Sequence, residues 1–364
     1  AGVTILSAAK KIKAKKVVAC LLGSQFSKKF SDADCAQALT EGVILSSYKF
    51  TKYLKADPNS VQSISFHLAS KKGTKQIQQG VTLAENLSRG VFLARDMVNL
   101  PANELTPLEM SNIAKKIKGV TTRVHNLAAI KKMKMGAYLS VAQGSAANPP
   151  YFIEMHYKPK GKAKKKIALV GKGVTFDTGG YSLKPPKSME TMKDDMAGAA
   201  AVVSVMSIIA DIKPNVEVSA YVAATENMVD GHAQRPGDVC KALNGKTIEV
   251  LNTDAEGRLT LADALTYAIK KKPDYVIDMA TLTGACLVAL GLRCTGIMGN
   301  DQTLINKIQS AGEYTGERLW QLPLIEEYGE ELKSTVADLK NIGSPYAGTI
   351  TAGLFLQHFV GDAK

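Results

Sequence analysis

Short apolar runs alternate with longer stretches of mixed apolar and charged residues along this chain, and that alternation predicts strand and helix pairs. VVACLLG (Val17 to Gly23) and SISFHLA (Ser63 to Ala69) read as strands, with a helical stretch, DADCAQALTEGVILSSYKFTKYL, between them. A long helix is expected from Thr74 to Val98. Further on, KKIALVGK (Lys165 to Lys172), VEVSAYVAA, TIEVL (Thr247 to Leu251) and YVIDMATL (Tyr275 to Leu282) read as strands. TPLEMSNIAKKI, MAGAAAVVSVMSIIA (Met196 to Ala210) and EGRLTLADALTYAIKKK supply the helices between and around them. Strand and helix in turn predict an α/β fold with a mainly parallel central sheet flanked by helices. At 364 residues the chain holds two domains on this reading: a small α/β domain over residues 1–85 and a larger one over 86–364. No internal repeat or low-complexity linker interrupts the pattern.

Two charged clusters fall where strands end, the place where open α/β sheets bind ligands. NTDAEGRL (Asn252 to Leu259) puts two carboxylates and a guanidinium within five residues, just after the apolar run TIEVL. Asp254 and Glu256 are spaced i, i+2, whereas a helical salt bridge uses i, i+4. Two acids beside an arginine suit a cation and an anionic reaction partner. The plainer alternative is a capped helix start, with Asp254 as cap and Glu256 in the first turn. Upstream, VGKGVTFDTGGYSLKPPKSMETMKDDM (Val170 to Met196) gathers Lys172, Asp177, Lys184, Asp194 and Asp195 around a glycine-rich loop. The loop has neither the G-x-x-x-x-G-K-[ST] nor the G-x-G-x-x-G arrangement of phosphate cradles. Acids beside it argue for a cation instead. Each residue alone has a bland reading: a solvated lysine, a helix-cap aspartate, a surface arginine pair.

Taken together, these blocks resemble those of the leucyl (cytosol) aminopeptidases. NTDAEGRL is similar to that family's signature, and VGKGVTFDTGG, SLKP, DDMAGAAAV and TENMVDGHAQRPGDV are similar to its other blocks. ARDMVNLPANELTP, ERLWQLPL and AGTITAGLFLQHFVG extend the resemblance over roughly Ala94 to Gly361. It implies that the larger domain is catalytic and that the chain is a two-metal aminopeptidase. Such an enzyme releases N-terminal residues, leucine-like ones preferred, by way of a metal-bridging water. By position, Lys172, Asp177, Asp195, Asp254 and Glu256 match metal ligands, and Lys184 and Arg258 match catalytic side chains. Asp194 is a rival to Asp195, disfavoured by its spacing from Lys184. Asp195, Met192, Thr281 and Gly284 match substrate-binding positions. Thr178 stands where a serine is expected and Ala197 where a glycine is.

The resemblance further implies two divalent ions, zinc or manganese ahead of magnesium or cobalt, with bicarbonate at Arg258. A lysine ligand requires a neutral amine, so a neighbouring dication and burial are expected to depress the pKa of Lys172. Peptide substrates and a homohexamer of two stacked trimers are the implied partners. The first domain is shorter than the family's usual one, and the C-terminal end reads as incomplete.

Composition narrows the alternatives. The chain is 45% hydrophobic, as a globular protein should be, and no run of eighteen apolar residues predicts a membrane helix. Five scattered cysteines without a C-x-x-C pair read as reduced thiols of a cytoplasmic protein, and the first residues do not read as a signal peptide. Of the histidines, His232 reads as structural or surface. The net charge of +13, with lysine clusters at 10–16 and 158–166, raises a second function: a DNA-binding architectural role on a basic surface. No aromatic residues interleave those lysines, so a solvated surface is the simpler reading. A third reading, an assembly protein without chemistry, would show losses among the seven matched residues, and there are none.

Overall fold

The computed structural model describes residues 1–21, 30–55, 61–68 and 73–364. The chain divides into one compact unit of Ala1–Asn99 with Ile208–Lys213, and another of Leu100–Ser207 with Pro214–Lys364. The expected boundary at residue 85 falls inside a helix of the first unit.

That unit contains α1 (Gly2–Lys11), β1 (Lys16–Leu21), α2 (Asp32–Ser47), β2 (Ser63–Leu68) and α3 (Thr74–Asn99). β1 and β2 pair in parallel, from Lys16 with Ser63 to Leu21 with Leu68. The expected strand residues 22–23 and 69 lie outside the described residues. α2 begins at a reciprocal cap: Ser31 Oγ accepts from the Asp34 amide at 3.2 Å, and Asp34 Oδ2 accepts from the Ser31 amide at 3.0 Å. It stops at Ser47 rather than continuing through KFTKYL. Tyr48 turns away instead, packing on Phe92 with ring centroids 5.0 Å apart and donating its hydroxyl to Asp96 at 2.8 Å. A tertiary contact there overrides local helix preference.

The second unit runs α4 (Pro107–Lys115), β3 (Thr121–His125), α5 (Leu127–Met133), α6 (Gly136–Ala142), β4 (Tyr151–Tyr157), β5 (Lys166–Asp177), α7 (Pro186–Met189), α8 (Ala197–Ile212, of which the part from Ile208 falls in the first unit), β6 (Glu217–Asn227), β7 (Asp238–Lys241) and β8 (Thr247–Val250). It continues with α9 (Gly257–Ile269), β9 (Tyr275–Met279), α10 (Gly284–Leu290), β10 (Thr295–Ile297), α11 (Gln302–Thr315), β11 (Leu319–Gln321), β12 (Leu339–Lys340) and α12 (Gly348–Gln357). The central sheet has the order β3-β4-β6-β5-β9. β5 pairs in parallel with both β6 and β9. These three strands are the ones legible as apolar runs. β3 and β4 add two antiparallel pairings on the far side of β6, so the sheet is mixed.

A smaller sheet, β12-β8-β7, carries the segment that leads into NTDAEGRL. α9 packs against β5, β6, α6 and α12, and is buried along almost its whole length. Its polar residues are therefore internal. Asp263 accepts from the Tyr138 amide at 2.9 Å and the Leu243 amide at 2.7 Å, anchoring α6 and the β7–β8 turn to α9. The stretch Pro186–Ile212 is long and apolar enough to cross a membrane by length and composition, although charged residues interrupt its apolar run. Its most apolar window is 61% buried inside the molecule, where α8 serves as a core helix. All five cysteines are free thiols.

Candidate functional site

The site begins with a defect in a strand. Lys172 and Asp177 are five residues apart on β5, and in a regular strand an odd separation sends side chains to opposite faces. Against β6, however, Val174 pairs with Thr225 and Asp177 with Asn227, so β5 spends three residues where β6 spends two. The extra residue of this bulge reverses the alternation and returns Asp177 to the face of Lys172.

Lys172 is 3% exposed. Its Nζ lies 2.8 Å from Asp195 Oδ1 and 2.7 Å from Glu256 Oε1, and donates to the Thr281 carbonyl at 3.0 Å. Gly257, the first residue of α9, makes room for it: a Cβ there would sit 2.6–2.8 Å from the outer lysine atoms. Burial alone would lower the Lys172 pKa, but the charges of Asp195, Glu256 and Asp177 outweigh it and the net shift is upward. The depressed pKa expected for a ligand lysine thus requires a cation strong enough to displace the proton. Burial raises the pKa of Asp195 and of Glu256, with the neighbouring carboxylates adding to it and Lys172 opposing.

Lys184 occupies a more open position. Its Nζ lies 3.0 Å from Asp177 Oδ2 and 2.6 Å from Asp254 Oδ1. Burial lowers its pKa but the two carboxylates outweigh burial and keep it an ammonium. Asp254 is pushed up to about 6 by burial and the Asp177 charge, against the pull of Lys184. Gly179 turns at φ +86°, and a Cβ there would meet Asp254 Oδ1 at 2.8 Å.

The capping alternative fails on geometry. Glu256 is the N-cap of α9 and makes no side-chain cap hydrogen bond. Its carboxylate faces Lys172. Of the two rival aspartates, Asp195 joins the cluster: Asp177, Asp195 and Glu256 each offer an oxygen within 4.8 Å of the others. Asp194 lies on a 3-10 turn, half-buried.

Arg258 is 6% exposed. Its Nη1 donates to the Asn341 carbonyl at 2.7 Å, its guanidinium lies 5.9 Å from the Phe355 ring centroid, and its buried Nε has no partner. Burial pulls its pKa down to about 10, against Glu256.

Of the positions expected to bind substrate, Thr281 is drawn into the cluster. Its hydroxyl donates to Asp195 Oδ1 at 2.8 Å. Met192 is partly buried on the 3-10 turn before Asp195, and Gly284 opens α10 with clear space where a side chain would start.

Three residues escaped sequence reasoning. Asn227 donates to Asp177 Oδ1 at 2.8 Å and to the Thr253 carbonyl at 3.0 Å. Thr253 Oγ1 donates to the Gly179 carbonyl at 2.6 Å and accepts from the Ser182 amide at 2.8 Å. Asn341 accepts from the Leu251 amide at 2.9 Å and donates to the Asn252 carbonyl at 2.6 Å, bracing the NTDAEGRL loop from ninety residues away. Asn227 and Thr253 at least sit inside the quoted blocks, but no spacing signal marks Asn341.

The donor set fits a metal. Four carboxylates face two lysine ammoniums, leaving an excess of buried negative charge that a cation relieves. Asp195 Oδ2, Asp254 Oδ1 and Glu256 Oε1 are buried without a hydrogen bond, although the last two lie in ion-pair range of lysines. Buried oxygens of this kind ordinarily find partners.

A sequence model of the cytosol aminopeptidase family, catalytic domain, matches residues 92–364. The chain belongs to the cytosol aminopeptidase family. It is 49% identical over 330 residues to a protein of Persephonella marina named "Probable cytosol aminopeptidase", covering 89% of this chain and 66% of that protein. A protein of the same name from Clostridium tetani is 44% identical over 98% of this chain and 75% of its own length. Among solved structures, a mutant of tomato leucine aminopeptidase superposes with a TM-score of 0.91 at 41% identity, over 99% of this chain and 71% of the tomato chain. The chain thus spans about two thirds of the length of the family members it matches. The whole acidic and lysine cluster lies within the matched catalytic domain.

Proposed function

We propose that this chain is a metal-dependent aminopeptidase of the cytoplasm that removes N-terminal residues, leucine-like ones first, from peptides. One observation carries the reading: Lys172, Asp177, Asp195, Asp254 and Glu256, named as ligands from the resemblance, converge on one cluster of four carboxylates and two lysines in which the buried Asp195 Oδ2 has no partner. These five residues would hold two divalent cations, zinc or manganese before magnesium or cobalt. When bound, such a pair supplies Lewis-acid polarisation and a nucleophile at neutral pH.

The chain's own groups do the rest. Asp195 Oδ2 is free to accept a hydrogen bond from the substrate's terminal ammonium or amine, a group that an internal peptide bond lacks, and so confines cleavage to chain ends. Lys184, kept cationic and less enclosed than Lys172, donates to the oxygen that gains charge as the scissile carbonyl becomes tetrahedral. Arg258 is too basic to take a proton itself. Its unpartnered Nε would suit a planar anion such as bicarbonate, which would supply proton-transfer capacity there when bound. Met192, with open space at Gly284, is assigned to the side-chain pocket.

The test is hydrolysis of a leucine anilide by chelator-stripped protein with zinc, manganese or magnesium restored, beside Asp254→Ala. Activity that returns with metal in the wild type and not in the variant is expected. An assembled protein inactive with every metal would overturn the reading. Sedimentation of the same samples tests the proposed hexamer of two trimers.

A further inference from the structure

We infer that Asn227 is a positioning residue of the metal centre, which fixes through Asp177 and Thr253 the two chain segments that carry ligands; the inference rests on the metal-centre reading above. Asn227 is the last residue of β6, 2% exposed, and the register partner of Asp177 across the β5 bulge. Its Nδ2 donates twice, to Asp177 Oδ1 at 2.8 Å and to the Thr253 carbonyl at 3.0 Å. The Gly179 amide also donates to Asp177 Oδ1, at 2.8 Å. With Oδ1 held by two neutral donors, the oxygen turned toward Lys184 Nζ is Oδ2, at 3.0 Å. The amide thus selects which Asp177 oxygen points into the cluster.

The residue type matters. A lysine or arginine at 227 could also hold Asp177 but would cancel negative charge that a cation needs. An aspartate would set acceptor against acceptor at both Asp177 and Thr253. Asparagine holds both sites and leaves the charge intact. Because Thr253 precedes Asp254, the same amide couples the end of β5 to the loop before α9. Its own place in the fold does not depend on that side chain: the Asn227 carbonyl accepts from the Thr178 amide and hydroxyl, each at 2.9 Å.

The test is calorimetric Mn²⁺ titration of the chelator-stripped full chain. Asn227→Ala removes both donations and keeps the main-chain bonds. Asn227→Thr does the same with a residue that suits a strand, and gives the result if the alanine variant does not fold. Ser145→Ala is the structural control. It breaks the buried 2.6 Å bond to Glu226, next door on β6, without touching Asp177. Mn²⁺ affinity is expected to fall about 10–100-fold in the Asn227 variants, the usual cost of losing a partner that orients a ligand. It should not change in Ser145→Ala. Wild-type affinity in a folded Asn227 variant, with Asp254→Ala weakened, overturns the inference and leaves the metal centre standing. Equal weakening in Ser145→Ala assigns the effect to general loosening and also overturns it. Undiminished affinity in Asp254→Ala overturns the metal-centre reading, and the inference falls with it.

Discussion

Two lysines in this molecule are each clasped by two carboxylates, yet they occupy different environments. The Lys172 side chain is 4% exposed and its partners Asp195 and Glu256 are 6% and 2% exposed. Lys184 is 15% exposed, and its partners Asp177 and Asp254 are 3% and 31% exposed. The partner chemistry is the same, so the depth of the pair separates the roles. A lysine with no water around it can neither move nor be replaced by solvent, which suits a fixed ligand. A partly exposed lysine with one partly exposed partner has the freedom that the proposed oxyanion role asks for.

The sharpest way to break this comparison is Lys172→Met. It strands Asp195 and Glu256 in the interior without their counter-charge, and removing one partner of a buried pair costs about 3–5 kcal/mol. Urea unfolding of chelator-stripped protein should show a loss of that size. The matching change at the less enclosed lysine, Lys184→Met, should cost less stability in the same assay, because Asp254 can turn to water and the buried Asp177 keeps its hydrogen bonds from the Gly179 amide and Asn227. Its effect belongs in turnover: kcat for a leucine anilide should fall roughly 10²–10³-fold, the scale of losing one donor to a developing oxyanion. A stability loss at Lys184 as large as at Lys172 would erase the distinction.

Much of this was legible in the sequence, and the misses have a common cause. Apolar runs marked β5, β6 and β8, whose buried positions need hydrophobic residues, and also β9, a half-exposed edge strand. The residues of the cluster were nameable in advance because NTDAEGRL, GKGVTFD and DDMAGAAAV resemble blocks of a known family, and the structure brings them together. The bulge was not, since nothing in the letters says that Val174 to Asp177 holds an extra residue relative to β6. Without it, Lys172 and Asp177 would have been assigned to opposite faces. Asn341 was invisible for another reason: it braces a loop far away in sequence, and single-chain patterns carry no record of such contacts. β3 and β4 escaped because their mixed residues lack a continuous apolar run.

Asp263 sharpens the comparison from the opposite direction, as a fully buried carboxylate held by amides alone. Burial raises its pKa to about 7, with the amides of Tyr138, Leu243 and Ala137 opposing. The folded state therefore holds a proton that the unfolded state has released, between the unfolded value near 4 and about 7. Over that window the folded protein binds more protons, so stability through this group falls as pH rises. Asp263→Asn cannot titrate and should flatten that part of the pH profile of the thermal midpoint. Its amide leaves one buried N–H facing a donor, at about 1–3 kcal/mol. An unchanged slope would show that Asp263 is not the group responsible.

The smallest change tests how firmly the inner pair is held. Thr281 touches it twice: its carbonyl accepts from Lys172 and its hydroxyl donates to Asp195 Oδ1. Thr281→Val keeps the shape and the carbonyl and removes only the hydroxyl. Lys172 still restrains Asp195, so one hydrogen bond of about 1 kcal/mol is lost. If Asp195 Oδ2 receives the substrate's amino group, that loss should appear as roughly a fivefold rise in KM for a leucine anilide, with kcat little changed. A fall in kcat with KM constant would instead place Thr281 on the catalytic side of the centre. Then the division between a fixed inner lysine and a working outer one would have to be redrawn, because a residue bound to Lys172 would be acting in turnover.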